Sequence, residues 1–280
     1  MVKQKIMIIG AGGSLGSALC KLLHRNPDYD VISVDRCENR LAHINRMYGF
    51  PIYIADVQEI DILSEIIEDH DVSCVVNTAA LKHVNSCEVR IEKAIRVNIL
   101  SNLNLVKLLK KTNRDFVYIS SDKAIKPTNV YALTKQFTDY FVRKEGYKIV
   151  RGVNFLNSDG SVIDIWEKQR QAKLPFTLVS EKCSRYFIPV CEMAGLVKDA
   201  IDDKSGQIEF TPKTVYLMTI EDLFKAFISY HVLSDYKVVP IKIGSCEKLV
   251  EDLNFSPKVI ELSSSDEIVS LLAKIFSDYR

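Results

Sequence analysis

The stretch VYISSDKAIKPTNVYALTK, residues 117–135, holds a concentration of side chains that could move protons. Tyr131 and Lys135 are four residues apart and share one face if the segment is helical. A lysine ammonium near a phenol favours the phenolate and lowers the tyrosine pKa. Such a tyrosine can exchange a proton with a sugar or alcohol hydroxyl while hydride moves to or from a nicotinamide. Just upstream, Ser120 and Ser121 end an apolar run, and Asp122 and Lys123 follow at once. An adjacent Asp-Lys pair is most often a solvated turn. Beside a ligand crevice the same two groups can serve as acid and base.

A second constellation lies at the start of the chain. MIIGAGGSLGSAL spaces Gly10, Gly13 and Gly16 as GxxGxxG. Glycines there permit a tight turn, backbone approach to a pyrophosphate and close helix–strand packing, while the helix N-terminus supplies donors and a favourable dipole. The context suits a dinucleotide: an apolar run before, an amphipathic run after, and Asp35 ending the next apolar run. Asp35 can bind both hydroxyls of an adenosine ribose, which favours NAD. Arg36 beside it can accept a 2′-phosphate, which favours NADP. The two readings stay open. Asp56 suits either an adenine cap or a plain turn carboxylate.

The elements that must position these groups follow from the hydrophobic pattern. KIMIIG (5–10), VISVD (31–35), PIYIAD (51–56), VSCVVNTA (72–79), FVYISS (116–121) and KIVRGV (148–153) read as strands. Most are nearly continuous in apolar residues, as expected for strands buried on both faces of a parallel sheet. Helical patterns lie between them at 14–25, 37–48, 60–69, 88–112 and 130–144. Strand–helix alternation of this kind predicts an α/β fold, a Rossmann-type doubly wound parallel sheet over residues 1–153. The pattern loosens afterwards. NSDGS (157–161) is a turn signal, helices are expected near 162–171 and 190–202, and TIEDLFKAFISYH (219–231) begins with a capping box of Thr219 and Asp222. Residues 154–280 are expected to form a smaller substrate-binding lobe with a soft boundary.

Composition narrows the setting. Of 280 residues, 37 are basic and 36 acidic, so the formal net charge of +1 gives no electrostatic reason to expect nucleic acid or an anionic membrane as partner. The seven cysteines are scattered without a CxxC pair, and the five histidines lack zinc-ligand spacing, so free thiols and no metal are expected. The N-terminal IMII run is too short for a signal peptide or a membrane span. These features predict a soluble cytoplasmic protein.

The order glycine turn, Asp35, NTAA, serine-ended strand, YxxxK resembles the short-chain dehydrogenase/reductases. AALKHVNSCE (79–88), the 117–135 stretch, NFLNSDGSVID (154–164), SRYF (184–187) and CEKL (246–249) together resemble the nucleotide-sugar 4,6-dehydratase branch that acts on UDP-N-acetylglucosamine. The likeness runs over nearly the whole chain. It implies a surface-glycan pathway enzyme in which hydride leaves sugar carbon 4, a proton leaves carbon 5, the carbon-6 hydroxyl departs and hydride returns to carbon 6. By motif position it implies Tyr131 as redox tyrosine with Lys135 as partner, Lys123 as carbon-5 base, Asp122 as carbon-6 acid and Ser121 on the carbon-4 oxygen. It also implies NAD(P) contacts from Gly10, Gly13, Ser14, Leu15, Gly16, Asp35, Arg36, Asp56, Val57, Thr78, Ala79, Ala80, Asn98, Tyr131 and Lys135. Lys82, Asn154, Gln169 and Arg185 are the implied substrate contacts, with Lys82 and Arg185 toward the diphosphate.

The sequence departs from that branch at several points. Ala132 stands where glycine usually follows the tyrosine, Gly152-Val153 where Phe-Gly is usual, and Asn157 where glycine is usual. These changes keep two other readings in play. One is a reductase or carbon-5 epimerase acting on the keto or 5,6-unsaturated product of a separate dehydratase. The other is a cofactor-binding scaffold without catalysis. Similarity to such enzymes also implies a homo-oligomer, with the helices at 88–112 and 130–144 pairing with their copies.

Overall fold

Buried parallel strands need apolar cover on both faces, and the first 150 residues supply it in alternating order. The computed structural model describes residues 3–180, 182–244 and 246–278. The chain begins with β1 (Gln4–Ile9), α1 (Ser14–His24), β2 (Tyr29–Asp35), α2 (Glu38–Tyr48), β3 (Ile52–Ile54), α3 (Ile60–Asp69) and β4 (Cys74–Asn77). Helices α4 (Val84–Val89), α5 (Ile91–Ala94) and α6 (Ser101–Thr112) follow, with a π-helical turn (Ile95–Leu100) before α6. Next come β5 (Asp115–Ser121), a 3-10 turn (Asp122–Ala124), α7 (Val130–Lys144), β6 (Lys148–Gly152) and β7 (Asn154–Leu156). Then come α8 (Val162–Gln171), β8 (Phe176–Val179), β9 (Ser184–Pro189), α9 (Val190–Asp202) and β10 (Glu209–Phe210). The chain ends with β11 (Thr214–Thr219), α10 (Ile220–Tyr230), β12 (Val238–Ile241), β13 (Lys258–Glu261) and α11 (Ser265–Asp278).

Two compact units result. The first comprises the residues up to Gly152 together with Cys191–Thr211. Its seven strands are all parallel, in the order β10-β6-β5-β4-β1-β2-β3. Successive side chains of a strand point to opposite faces. On β1, Met7 and Ile9 join a core cluster with Leu63, Leu105 and Leu109, while Ile6 and Ile8 are equally buried on the other side. Both faces are therefore covered, as a doubly wound sheet requires. Among the described residues, no helix is long and apolar enough to cross a membrane.

The second unit comprises Val153–Val190 and the residues from Pro212 onward. A four-stranded sheet, β13-β11-β9-β7, and a parallel pair, β12-β8, form its framework. Trp166 is fully buried against Phe224 and Phe227 at its centre. The capping box at 219–222 forms: the Thr219 hydroxyl accepts from Asp222 N at 2.9 Å and starts α10. Asn157, which stands where the similar branch has glycine, has φ of 57°, a left-handed backbone that glycine and asparagine tolerate best.

Two features differ from the sequence pattern. The single helix expected over 88–112 is interrupted, because Arg90 leaves helical geometry (φ −127°, ψ 60°) and the following turn widens to a π-helix around Asn98. The stretch after residue 153 is not one continuous lobe either. Residues 191–211 return to the first unit, where β10 pairs with the edge strand β6 through Glu209↔Ile149 and Phe210↔Val150. Lys148 Nζ reinforces that return by donating to the carbonyls of Ala200 and Asp203, both at 2.7 Å.

Candidate active site

In the first unit the sheet order reverses between β1 and β4, and open α/β sheets bind ligands at such a switch point. The glycine turn leaves β1 there. Gly10 has φ of +81°, and a Cβ on it would lie 2.7 Å from Thr78 Oγ1 and 2.9 Å from Ala79 N. Gly16, in the first turn of α1, lies so close to β1 that a Cβ would fall 2.1 Å from the Gly10 carbonyl oxygen. Thr78, just past β4, seals the pair by donating to the carbonyls of Ile9 (2.8 Å) and Gly10 (3.0 Å). Gly13 precedes α1, and no side chain caps the helix start carrying Ser14 and Leu15. The residues present fit a dinucleotide: the backbone is bare where a pyrophosphate must approach, and helix N–H groups point from an uncapped end.

The outer part of this site is more committed than its sequence suggests. The Asp35 carboxylate accepts from Gly12 N at 3.0 Å and from Cys37 N at 2.9 Å, so it braces the glycine turn. Arg36 is exposed and lies 3.9 Å from Asp56. Asp56 accepts from the backbone and side chain of Gln58. A groove bordered by Arg36, Ile54, Ala55, Asp56, Gln58 and Glu59 opens beside them. Val57 turns its side chain into the core. Ala79 N donates to Asn77 Oδ1 at 3.0 Å, and Ala80 is half-buried next to it. Arg40 was not singled out in the sequence, yet its Nη1 reaches the Gly12 carbonyl at 3.4 Å. Its position on α2, five residues past Asp35, was the only available signal.

Asn98 has a structural occupation. Its amide accepts from Leu81 N and donates to the Leu81 carbonyl, both at 2.9 Å, and donates to Thr134 Oγ1 at 3.1 Å. It thereby ties the 79–83 segment to the π-helical turn and to α7. Lys82, next to the clamped Leu81, is exposed.

The proton-handling groups converge at the end of β5. The Asp-Lys step leaves strand geometry in the 3-10 turn, which lets neighbouring side chains serve one side. Ser121 Oγ donates to Asp122 Oδ1 at 2.8 Å, and Lys123 N donates to the same oxygen at 2.9 Å. Lys123 Nζ lies 3.4 Å from it. Asp122 is fully buried, and its Oδ2 has no hydrogen-bond partner among the described residues. Helix α7 begins with two caps the sequence reading passed over: Asn129 accepts from Ala132 N at 2.9 Å, and Glu88 accepts from Val130 N at 2.7 Å. Glu88 belongs to the AALKHVNSCE block, so that block meets the start of α7 there.

Tyr131 and Lys135 lie on one side of α7, both buried. Burial raises the Tyr131 phenol above its ordinary value, opposed by a hydrogen bond with Ser121 and reinforced by the negative charge of Asp122. The expected lowering by Lys135 does not prevail here, because desolvation is the larger effect. Lys135 Nζ instead donates to the Ile119 carbonyl at 2.8 Å and sits 4.7 Å from the centre of the Tyr118 ring. Burial pulls its pKa down to about 8, with the Asp139 charge opposing.

In the second unit, Asn154 and Arg185 lie on the neighbouring strands β7 and β9. Asn154 Nδ2 donates to the Tyr186 carbonyl at 2.9 Å. Arg185 is buried and donates to the carbonyls of Ser184 and Leu249, both at 3.0 Å, with Glu247 at 3.4 Å. The SRYF and CEKL blocks are thus in contact through this guanidinium. Gln169 is elsewhere: both ends of its amide bond Thr177, at 3.1 Å, pinning α8 to β8. Among the described residues, no group of three or more His, Cys, Asp and Glu is arranged to hold a metal ion.

The chain is similar to several known proteins. A family model described as "Polysaccharide biosynthesis protein" matches residues 6–272. The chain is 32% identical over 270 residues to the "Probable polysaccharide biosynthesis protein EpsC" of Bacillus subtilis (strain 168), covering 89% of this chain and 45% of that protein. It therefore spans less than half the length of that relative. It is 27% identical over 266 residues to a "UDP-N-acetylglucosamine 4,6-dehydratase (inverting)" of Campylobacter jejuni, covering 89% of this chain and 77% of the relative. Among solved structures, Pen from Bacillus thuringiensis superposes with a TM-score of 0.88 at 21% identity over 98% of each chain. UDP-glucuronic acid 4-epimerase from Bacillus cereus, in complex with UDP-glucuronic acid and NAD, superposes with a TM-score of 0.81 at 19% identity, covering 98% of this chain and 99% of that one. At these identities the two structures establish the fold.

The Gly16 contact yields a direct check. Gly16→Ala must push α1 away from β1, because the clash is with backbone. We expect NADH and NADPH binding, measured by nicotinamide fluorescence titration, to weaken at least about tenfold with far-UV circular dichroism unchanged. Unweakened binding to both would remove the turn from the cofactor site.

Proposed function

The chain belongs to the polysaccharide biosynthesis protein family, and on that premise we propose that it is an NAD(P)-dependent nucleotide-sugar 4,6-dehydratase acting on UDP-N-acetylglucosamine or a close relative. The observation that carries this reading is the Ser121 hydroxyl. It donates to Asp122 Oδ1 at 2.8 Å at the start of the turn that also holds Lys123, so a buried carboxyl and a lysine are gathered at the strand end just before the helix of the redox tyrosine. Oxidation and reduction at carbon 4 alone have no use for a second acid. Expulsion of a carbon-6 hydroxyl requires one.

The steps follow from what each side chain can do. Tyr131 takes the proton of the carbon-4 hydroxyl, with the Ser121 hydroxyl bonded to the same oxygen. Lys135 supplies positive charge beside the forming phenolate. The carbon-4 ketone acidifies the carbon-5 hydrogen, and Lys123 removes that proton as a neutral amine. Asp122 gives its proton to the departing carbon-6 hydroxyl; its Oδ1 is held by Ser121 and the Lys123 backbone, and its buried Oδ2 has no partner among the described residues. A bound nicotinamide would supply the hydride acceptor at carbon 4 and the donor at carbon 6. Gly10, Gly13 and Gly16 would admit its pyrophosphate, with Asp35, Arg36 and Asp56 toward the adenosine end. Asn154, Arg185 and Lys82 are kept as substrate contacts. Gln169 is a weaker candidate, since Thr177 occupies its amide.

We also propose a homodimer. Leu133, Phe137 and Tyr140 are each more than half exposed along α7, and Ile91, Ile95 and Leu100 add exposed apolar area on the neighbouring helical segment. A stripe of this kind on a helix pair is typical of a subunit interface.

Three outcomes are expected. Purified protein given UDP-N-acetylglucosamine without added cofactor should form a 4-keto-6-deoxy sugar, followed by NMR. No turnover, together with NADPH consumption on a keto or 5,6-unsaturated nucleotide sugar, would establish the reductase reading instead. Lys123→Ala should still oxidise carbon 4, seen as nicotinamide absorbance, while solvent deuterium exchange at carbon 5 falls by about 10²–10⁴-fold, the range for loss of a general base. Phe137→Glu should sediment as a monomer if the parent is a dimer through α7; an unchanged dimer would move the interface elsewhere.

A further inference from the structure

Behind the Tyr131–Lys135 pair lies buried charge that the reaction above does not use. Asp139 follows Lys135 by one helical turn on α7 and is 5% exposed. Arg151, from β6, is 2% exposed and pairs with Asp139 Oδ2 at 2.8 Å. Its Nη1 also donates to Ser120 Oγ at 3.1 Å and to the Ser121 carbonyl at 3.0 Å, while its Nε pairs with Glu209 Oε1 at 2.7 Å. Asp139 Oδ1 is buried with no hydrogen-bond partner among the described residues.

We propose that Asp139, held in place by Arg151, is a positioning residue that keeps the Lys135 ammonium charged, so that Tyr131 can carry a negative charge during proton transfer. This rests on the roles of Tyr131 and Lys135 given above.

The surroundings of Lys135 make Asp139 the natural source of that charge. From β5 it meets the Tyr118 ring and the Ile119 carbonyl. From α4 it meets Cys87, a thiol that burial pushes up to about 11 and so leaves neutral near pH 7. On its own helix it neighbours Tyr131 and Asp139, and Asp122 acts on Tyr131 from the turn after β5. Arg151 on β6 brings a second positive charge, balanced in turn by Asp139 and by Glu209 of β10. Without Asp139, the buried Lys135 would lose the carboxylate held one helical turn away by Arg151. The balance would shift toward the neutral amine, which cannot stabilise a phenolate.

Burial draws Lys135 down to about 8 even with the Asp139 charge opposing it, so the ammonium is finely balanced. The sign of the effect follows. Removing a negative neighbour lowers a lysine pKa further, and the proton is lost at lower pH.

The test reads Lys135 directly, in substrate-free protein labelled with 13Cε-lysine and titrated by NMR, the Lys135 signal being assigned by its loss in Lys135→Met. The parent midpoint should lie near 8. In Asp139→Asn it should fall by about one pH unit, a tenfold lower ratio of ammonium to amine at a given pH. Asp139→Glu should restore it. If Asp139→Asn does not fold, Asp139→Ser removes the same charge and makes the same comparison. An unchanged midpoint in the charge-removed variant overturns the proposal. In turnover assays the alkaline limb of kcat should move by the same amount, with KM for the nucleotide sugar unchanged. A moved NMR midpoint in a protein that turns over no nucleotide sugar would support the charge coupling while refuting the proposed function, so the two can fail separately.

Discussion

A guanidinium in a protein interior must be fully paired, or its desolvation outweighs every contact it makes. Arg151 meets that demand with partners drawn from three elements around its own strand β6: Asp139 on α7, Ser120 and the Ser121 carbonyl on β5, and Glu209 on β10. Removing one partner of such a group typically destabilises by about 3–5 kcal/mol, because the other charge is left uncompensated. The arrangement therefore acts as a strict geometric condition. The end of β5, the start of the Asp122 turn and the buried face of α7 can take few other relative positions. This condition also gives a physical reason for the return of residues 191–211 to the first unit, since β10 brings Glu209 within 2.7 Å of the guanidinium Nε.

The second constraint is distance. Gly10 and Gly16 let α1 and β1 approach until no Cβ fits between them, and Thr78 closes the gap from the neighbouring strand. The switch point of the sheet is thus tightly packed on the β1 side, by the Gly10–Ala11 backbone and the Thr78 hydroxyl. Asp35 contributes to that rigidity, since both of its oxygens hold turn amides. A carboxylate so engaged still has lone pairs for a ribose, but its first effect is to fix the loop that a dinucleotide must approach.

Between these two rigid parts, the Asp122–Ala124 turn converts a strand end into a cluster. Ser121 and the Lys123 backbone both hold Asp122 Oδ1, which fixes the turn's geometry. Around it, burial works against charge: it raises the phenol and lowers the lysine. Compensation has to come from fixed neighbours, and the buried carboxylate of Asp139, one helical turn from Lys135 and held by Arg151, is the proposed source.

Much of this was legible in the sequence. The parallel strands appear as near-continuous apolar runs because both of their faces are covered, and the glycine turn, the capping box at Thr219 and the YxxxK spacing are local patterns that need no distant partner. The family blocks located Ser121, Asp122, Lys123, Tyr131 and Lys135 by position. What the tertiary structure decided is who pairs with whom. Arg151 sits in a strand-like run, and its partner Glu209 is 58 residues away. Asn98 interrupts a helix to clamp Leu81, Gln169 holds Thr177, and Arg185 holds the 247–249 segment, none of which a linear pattern announces. The division has one physical cause. Local periodicity and turn chemistry are written in neighbouring residues, whereas the pairing of a buried polar group depends on which elements the packed sheet brings within hydrogen-bond distance.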